Sequence, residues 1–525
     1  QRNFTHKAFT LMLGAILAMA IFSCKNKSYT RNSTHQNISD ESIEKGEKLA
    51  KMFCQSCHML PDPSLVDAKT WEKGVLPQMA PRLGIFNYGS QTYPRSGDDN
   101  IGPHFYPSYP VLSLLDWQNI LDYYEATAPD SLSPQKRSLP IRDGLSLFEV
   151  EKPEIYYKKP ATSYVKIFSS DSSHSIIIAD AVKQNLLFIN KNLQIKDSIS
   201  TGGPIVDIDY NRSNMLACDI GVLKPNNGKF GKAEVINFNS KGQLYKDSVP
   251  LIKDLQRPVQ IITADLNNDG QPDYLVCEFG FLIGELAWFE NEGKNKFKKH
   301  VLRNVPGAIK AYIQDYNHDG LPDIWVLFAQ GDEGIFLFTN KGHGNFDQEQ
   351  VLRFPPSYGS SYFELDDFNK DGFPDILYTC GDNADYSMIL KPYHGVYIFM
   401  NDKTNHFTQK YFYPINGCYK AIARDYDGDG DLDIATISFF ADYEKQPQEG
   451  FVYLENTGNF NFQPFSLKGT QVGRWLTMDA GDIDGDGKID LILGNFSIFP
   501  SMMKHRVDWK HSPPFIILKN VGKGK

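Results

Sequence analysis

Cys54, Cys57 and His58 stand in the order C-x-x-C-H. Two thiols separated by two residues lie on one turn, where both can add across the vinyl groups of a haem. The imidazole that follows them is then placed to ligate the iron. A redox-active dithiol needs the same pair of thiols, but it has no use for the adjacent His, and no βαβ pattern surrounds this motif. A zinc half-site would require a second Cys/His pair nearby, and none appears. Composition alone would produce the motif in about two per thousand such chains. One covalently held haem c on Cys54, Cys57 and His58 is therefore expected.

A second set of residues points to a different chemistry. The pattern D-x-[DN]-x-D-G-x-x-D occurs five times. The acidic and amide positions are Asp265, Asn267, Asp269 and Asp273; Asp315, Asn317, Asp319 and Asp323; Asp367, Asn369, Asp371 and Asp375; Asp425, Asp427, Asp429 and Asp433; and Asp482, Asp484, Asp486 and Asp490. Hard carboxylate and amide oxygens at this density select Ca²⁺ over zinc or copper. An EF-hand would place a Glu at position 12, where this chain has Val276, Val326, Tyr378, Thr436 and Leu493. EF-hands are excluded. A single such loop could be a turn held by Asp and Asn side chains; five intact copies predict up to five bound Ca²⁺ ions with a structural role.

The elements around the haem motif read as helices. Ser42 to Phe53 and Leu114 to Ala126 are amphipathic, the first with an N-terminal Ser and early Glu residues. A Gly- and Leu-bearing helix running into C-x-x-C-H, followed by a closing D-W-x-x-I-x-D-Y-Y helix, resembles class I cytochrome c over residues 41–130. That resemblance implies a small all-α domain and a sixth iron ligand after the motif. Met79, flanked by Pro77 and Pro81, is the first candidate, and His104 in Gly102-Pro103-His104-Phe105 is the rival.

The Asp loops themselves recur at spacings of 50, 52, 58 and 57 residues, a period that marks a solenoid or propeller. Each unit has a strand before the loop, a short apolar strand after it, a polar connection, a strand ending in Asn, and in most copies a fourth strand. Four antiparallel strands per unit make a propeller blade. The units resemble FG-GAP (VCBS-type) repeats such as those of integrin α-chain propellers, over most of residues 140–525. Pro204 to Cys218 and Ser173 to Asn190 read as eroded units, giving seven blades. The last unit ends at Asn520 without an outer strand, so a segment within 140–158 is expected to supply it. The fold class is thus mostly β, a seven-bladed propeller with a small all-α domain before it.

Before each loop, position −4 is apolar, whereas position −5 holds Gln260, Lys310, Tyr362, Lys420 and Thr477. On an inner strand this partly basic column faces the central channel, where it meets water and internal ion pairs or an anionic ligand. Asp382, Asp385, Tyr386, Tyr443, His505, Arg506 and His511 lie in the variable loops, where binding faces form. Cys218, Cys277, Cys380 and Cys418 sit in separate repeats and are expected as buried free thiols.

Arg2 and Lys7 precede an apolar run from Ala8 to Phe22 that closes on Ile21-Phe22-Ser23-Cys24, which resembles a lipobox with Cys24 as the lipidated residue. Residues 1–24 then form the signal and 25–40 a flexible tether. The net charge of −9 leaves nothing to neutralise a run of phosphates, so no nucleic-acid partner is expected. These readings converge on a lipid-anchored protein of the cell envelope that transfers electrons to or from a redox partner protein, with a propeller that docks a partner or a polysaccharide or protein ligand. A redox enzyme in which the propeller passes electrons to its haem domain, and a calcium-dependent adhesion module, are the alternatives; no nucleophile, base or further cofactor constellation stands out.

Overall fold

The computed structural model describes residues 28–168, 175–211, 214–239, 243–384, 388–498, 509 and 511–523. The whole signal segment with Cys24, and Asp385, Tyr386, His505 and Arg506, lie outside them.

Two 14-residue helices organise the N-terminal unit: α1 (Asp40–Phe53) and α2 (Leu114–Thr127). Ser39 caps α1 by accepting from the Ser42 N–H, and Ser113 caps α2 by accepting from Asp116. The helices cross at Gly46, where a Cβ would overlap the Asn119 carbonyl. Ser42 donates to Asn119 Oδ1 (2.8 Å) and to Asp122 at the same crossing. Short helical turns from Pro63 to Leu83 and a small ribbon (Asn87–Tyr88 with Gln91–Thr92) complete the unit. Its core is aromatic. Trp71 and Trp117 are buried and donate to Pro63 O (2.8 Å) and the Tyr93 hydroxyl (3.1 Å).

The tether expected over 25–40 is not free where it is described. Asn32 is buried, its N–H donates to Ala126 O (2.9 Å), and its amide donates to Ala128 O (2.9 Å). Arg31 pairs with Asp40 at 2.6 Å. The open carbonyls at the end of α2 need donors, and this polar segment supplies them. A composition argument counts only apolar burial and overlooks such a demand.

From Thr162 onward the chain forms seven antiparallel sheets in strict succession. Numbered in chain order, blades 1 to 7 begin with the strands Thr162–Ile167, Ile205–Asn211, Pro258–Ala264, Ala308–Gln314, Ser360–Asp366, Cys418–Arg424 and Trp475–Gly481. These first strands touch their neighbours all the way round, including blade 7 against blade 1, so they line the axis of a closed ring. Blade 7 has only three strands of its own. Its fourth is Phe148–Glu151, which pairs antiparallel with Phe515–Asn520, as the ring-closure argument requires. Arg142–Asp143 adds a parallel edge strand to blade 6.

Every first strand carries a one-residue bulge at the same place, at Ser163, Val206, Val259, Ile309, Ser361, Tyr419 and Leu476. Blades 1 and 2 share it although their loops have lost the acidic pattern, which identifies them as true repeats. Cys218, Cys277, Cys380 and Cys418 are buried and unbridged, as expected.

Candidate functional site

The structure carries three groupings of chemistry-bearing residues. The first is at the end of α1. Cys54 follows the last helical residue, and the chain turns through Cys57 to His58. Neither thiol is in a disulfide; Cys54 is half-buried and Cys57 exposed. Burial, with the neighbouring Cys57, pushes the Cys54 thiol up to about 11. His58 Nδ1 lies 2.8 Å from Met59 O. A proton on Nδ1 donated to that carbonyl leaves the Nε2 lone pair open, the arrangement that metal-ligating histidines adopt. The residues therefore fit a covalently held haem: two unpaired thiols on one turn and an imidazole with a fixed tautomer. Met79 ends a four-residue helical turn and is half-buried, while His104 is exposed. Arg82 stacks on Phe105 at 4.3 Å, so the two segments bearing these candidates pack together.

The second grouping is the set of Asp loops between the first and second strands of blades 3 to 7. Within each, side chains stand in for backbone partners. Asp265 accepts from the N–H groups of Asp269 (3.0 Å) and Gly270 (2.8 Å), and Asp315 and Asp367 repeat this. The ninth residue is buried in every copy. Asp273, Asp323, Asp375 and Asp490 accept a loop N–H on one oxygen and, on the other, the N–H of the Asn that ends the third strand. In blade 6 the Tyr453 hydroxyl replaces the loop N–H on Asp433. That Asn is the recurrent one of the sequence pattern.

Carboxylate oxygens of Asp425, Asp427 and Asp433, and of Asp482, Asp484 and Asp490, lie within 4.8 Å of one another. Burial, with repulsion from the other loop carboxylates, pushes Asp433 up to about 7 and Asp375 and Asp490 up to about 6. Carboxylates crowded in this way favour a positive charge beside them. Lysines approach the same oxygens: Lys519 lies 2.6 Å from Asp484, and Lys523 contacts Asp427. The donor set thus fits a hard cation, with positions 1, 3 and 9 convergent in the two all-Asp loops.

The helical unit and the Asp loops occupy opposite faces of the propeller. Contacts to the helical unit come from connections between second and third strands. Asn227 donates to Asp98 (2.9 Å), Tyr393 donates to Leu65 O (3.0 Å), and Ile389 packs into the helical core. The linker is fastened on that face as well, with Arg137 paired to the fully buried Glu449 and Gln135 donating to His394 O (2.9 Å). Of the variable-loop candidates that are described, Tyr443 is buried and donates to Ser438 O (2.6 Å), Asp382 accepts from the Ala384 N–H, and His511 is exposed.

The third grouping lines the channel. Positions −5 and −3 both face it, and the second tier, Lys166, Asp209, Tyr312, Glu364 and Asp479, is absent from the expectations drawn from sequence. Period-two alternation from position −5 was the signal that could have found it. Each first strand is an edge, with unpaired backbone groups. Side chains of the preceding blade satisfy them: Asp207 accepts from Ile261 N, Asp209 from Thr263 N, Gln260 from Ala311 N, Glu364 from Ala423 N and Asp479 from Ile167 N.

Comparison with known families finds the FG-GAP-like repeat over residues 315–378, a stretch that includes the Asp loops of blades 4 and 5. The propeller thus contains FG-GAP-like repeat sequence in blades 4 and 5. Among solved structures, the N-terminal domain of Nup159 is similar at 9% identity, covering 74% of this chain and 98% of that one, with a TM-score of 0.41. A chain from the S. cerevisiae assembly of dbp5 with nup159, gle1, IP6 and ADP matches at 9% identity over 73% and 98%, with a TM-score of 0.40.

Proposed function

We propose that this protein is an envelope-anchored c-type cytochrome that transfers electrons, carried on a calcium-stiffened FG-GAP propeller that docks its partner. The observation that supports this most is the end of α1, with its two free thiols and with His58 aimed by its bond to Met59 O. A covalently bound haem would supply a one-electron couple there, tuned by its axial ligands. Cys54 and Cys57 would hold it, His58 would ligate from one side, and Met79 or His104 from the other. The crossing at Gly46 ties α1 to α2 and so fixes the height of the motif above the helical core. Up to five Ca²⁺ ions in the Asp loops would stiffen the face away from the helical unit, leaving the haem side for exchange with a redox protein. The lipid on Cys24 completes the proposal as a membrane tether.

The test is a reduced-minus-oxidised spectrum of the full chain exported by a host with haem-maturation machinery. Sharp α and β bands that survive acid-acetone extraction, and that vanish in a Cys54→Ala/Cys57→Ala variant, are expected. A folded, exported chain without haem overturns the reading. Met79→Ala and His104→Ala then identify the sixth ligand by which of them moves the reduction potential.

A further inference from the structure

Lys310 of blade 4 and Lys420 of blade 6 project into the central channel, with Tyr362 of blade 5 between them. The Lys420 ammonium lies 4.6 Å from the centre of the Tyr362 ring and that of Lys310 lies 6.0 Å from it. Among the described residues neither ammonium has a hydrogen bond or an ion pair. This is unusual for charges in a half-buried site, which are normally paired.

Lys310 also lies 4.8 Å from the centre of the Tyr312 ring. The channel carboxylates act on the two ammonium groups without direct contact, Asp207 on Lys310 and Asp479 and Glu364 on Lys420, while each holds hydrogen bonds of its own. Asp207 holds Ile261 N, Glu364 holds Ala423 N and Arg424, and Asp479 holds Ile167 N and Lys166. At the same tier, the residue of one blade accepts a backbone N–H of the next: Asp207 does so for Ile261 and Gln260 for Ala311. Lys310 and Lys420 occupy this place before Phe363 and Met478, and an ammonium has no lone pair to offer. No side chain caps either N–H among the described residues. This side of the channel therefore presents donors to donors.

The propeller itself does not need lysine here, because Tyr164, Gln260, Tyr362 and Thr477 fill the equivalent places in other blades. Burial pushes the Lys420 ammonium down to about 8, so its charge is held at a cost that an acceptor would offset.

We propose that the central channel binds one small oxyanion, carboxylate or tetrahedral, between Lys310 and Lys420. Its oxygens would accept from both ammonium groups. This site is separate from the haem and calcium readings and stands without them.

The experiment is isothermal titration of the full chain with sodium sulfate, and separately with sodium acetate, in a chloride buffer. One saturable equivalent is expected for at least one of the two anions, weakened tenfold or more by Lys310→Met and again by Lys420→Met, with circular dichroism confirming an intact β fold. Which anion binds tells a tetrahedral ligand from a carboxylate. Absence of saturable binding for both, or equal affinity in the two variants and the parent, overturns the proposal. Should Lys420→Met unfold, Lys420→Gln and Lys310→Met carry the same comparison.

Discussion

At Gly46 the backbone of α1 rests against the Asn119 carbonyl with no room for a methyl group. Gly46→Ala must push α2 away, an overpacking that costs about 1–3 kcal/mol. Thermal unfolding of the helical unit, followed by its tryptophan fluorescence, should register that loss while the propeller transition stays in place. Glu125 offers a pH signature in the same unit. Burial, then repulsion from Glu72 and Asp122, raises its carboxyl from 4.5 to about 7, with His35 Nε2 3.8 Å away. The folded state keeps a proton that the unfolded chain releases, so this contribution is whole below about pH 4 and disappears as pH climbs through 7. Glu125→Gln should therefore stabilise the unit by about 1–3 kcal/mol at pH 8 and leave it unchanged at pH 4. Equal effects at both pH values would refute the assignment.

At the scale of the element, the Asp loop divides its work among positions. Asp490 is buried and accepts from Ile483 N and Asn520 N, each at 3.0 Å or less, so Asp490→Ala should destabilise by about 3 kcal/mol with or without calcium. Asp484 accepts the Asp486 N–H at 3.2 Å and pairs with Lys519 at 2.6 Å, both at a partly exposed site. Asp484→Ala should leave the calcium-free melting point nearly unchanged and reduce its rise on adding calcium. If chelation never lowers the melting point of the parent chain, the calcium reading fails.

The same elements show what could be read in advance. The loop pattern, the C-x-x-C-H motif and the Asn ending each third strand are visible in sequence, because their chemistry joins residues a few positions apart or one hairpin apart. The inner-strand caps are not visible in that way. Asp207 to Ile261 and Glu364 to Ala423 each join neighbouring blades across a whole repeat, and the side chains doing it vary from Asp to Gln to Glu. The buried pair of Arg137 and Glu449 is hidden for the same reason, since nothing local at Arg137 announces a partner in blade 6. The role of Asn32 is not legible in composition, because it depends on carbonyls that open only when α2 ends.

For the molecule as a whole, the chain leaves α2, crosses to Glu449, edges blade 6 and then blade 7, and only afterwards begins blade 1. Glu149 sits in the closing strand opposite Lys519, in the register where the backbone groups of the two strands bond. Glu149→Pro removes a ladder N–H and should leave the edge of blade 7 open, seen as lost cooperativity in unfolding and as oligomers in size-exclusion chromatography. A monomer that unfolds as the parent does would argue against closure through this strand.

That strand also sets an order of events during biogenesis. The helical unit can fold while most of the propeller is still being delivered. The ring cannot shut until the strand at Phe515–Asn520 arrives to meet residues that came before every blade. Until that moment each half-built propeller keeps two raw sheet edges, an invitation to proteases and to other chains. The last strand is therefore a latch. A message cut short or a ribosome stalled before it would yield a molecule with its helical unit folded and no shelter for the rest, one that quality control could recognise by its open seam.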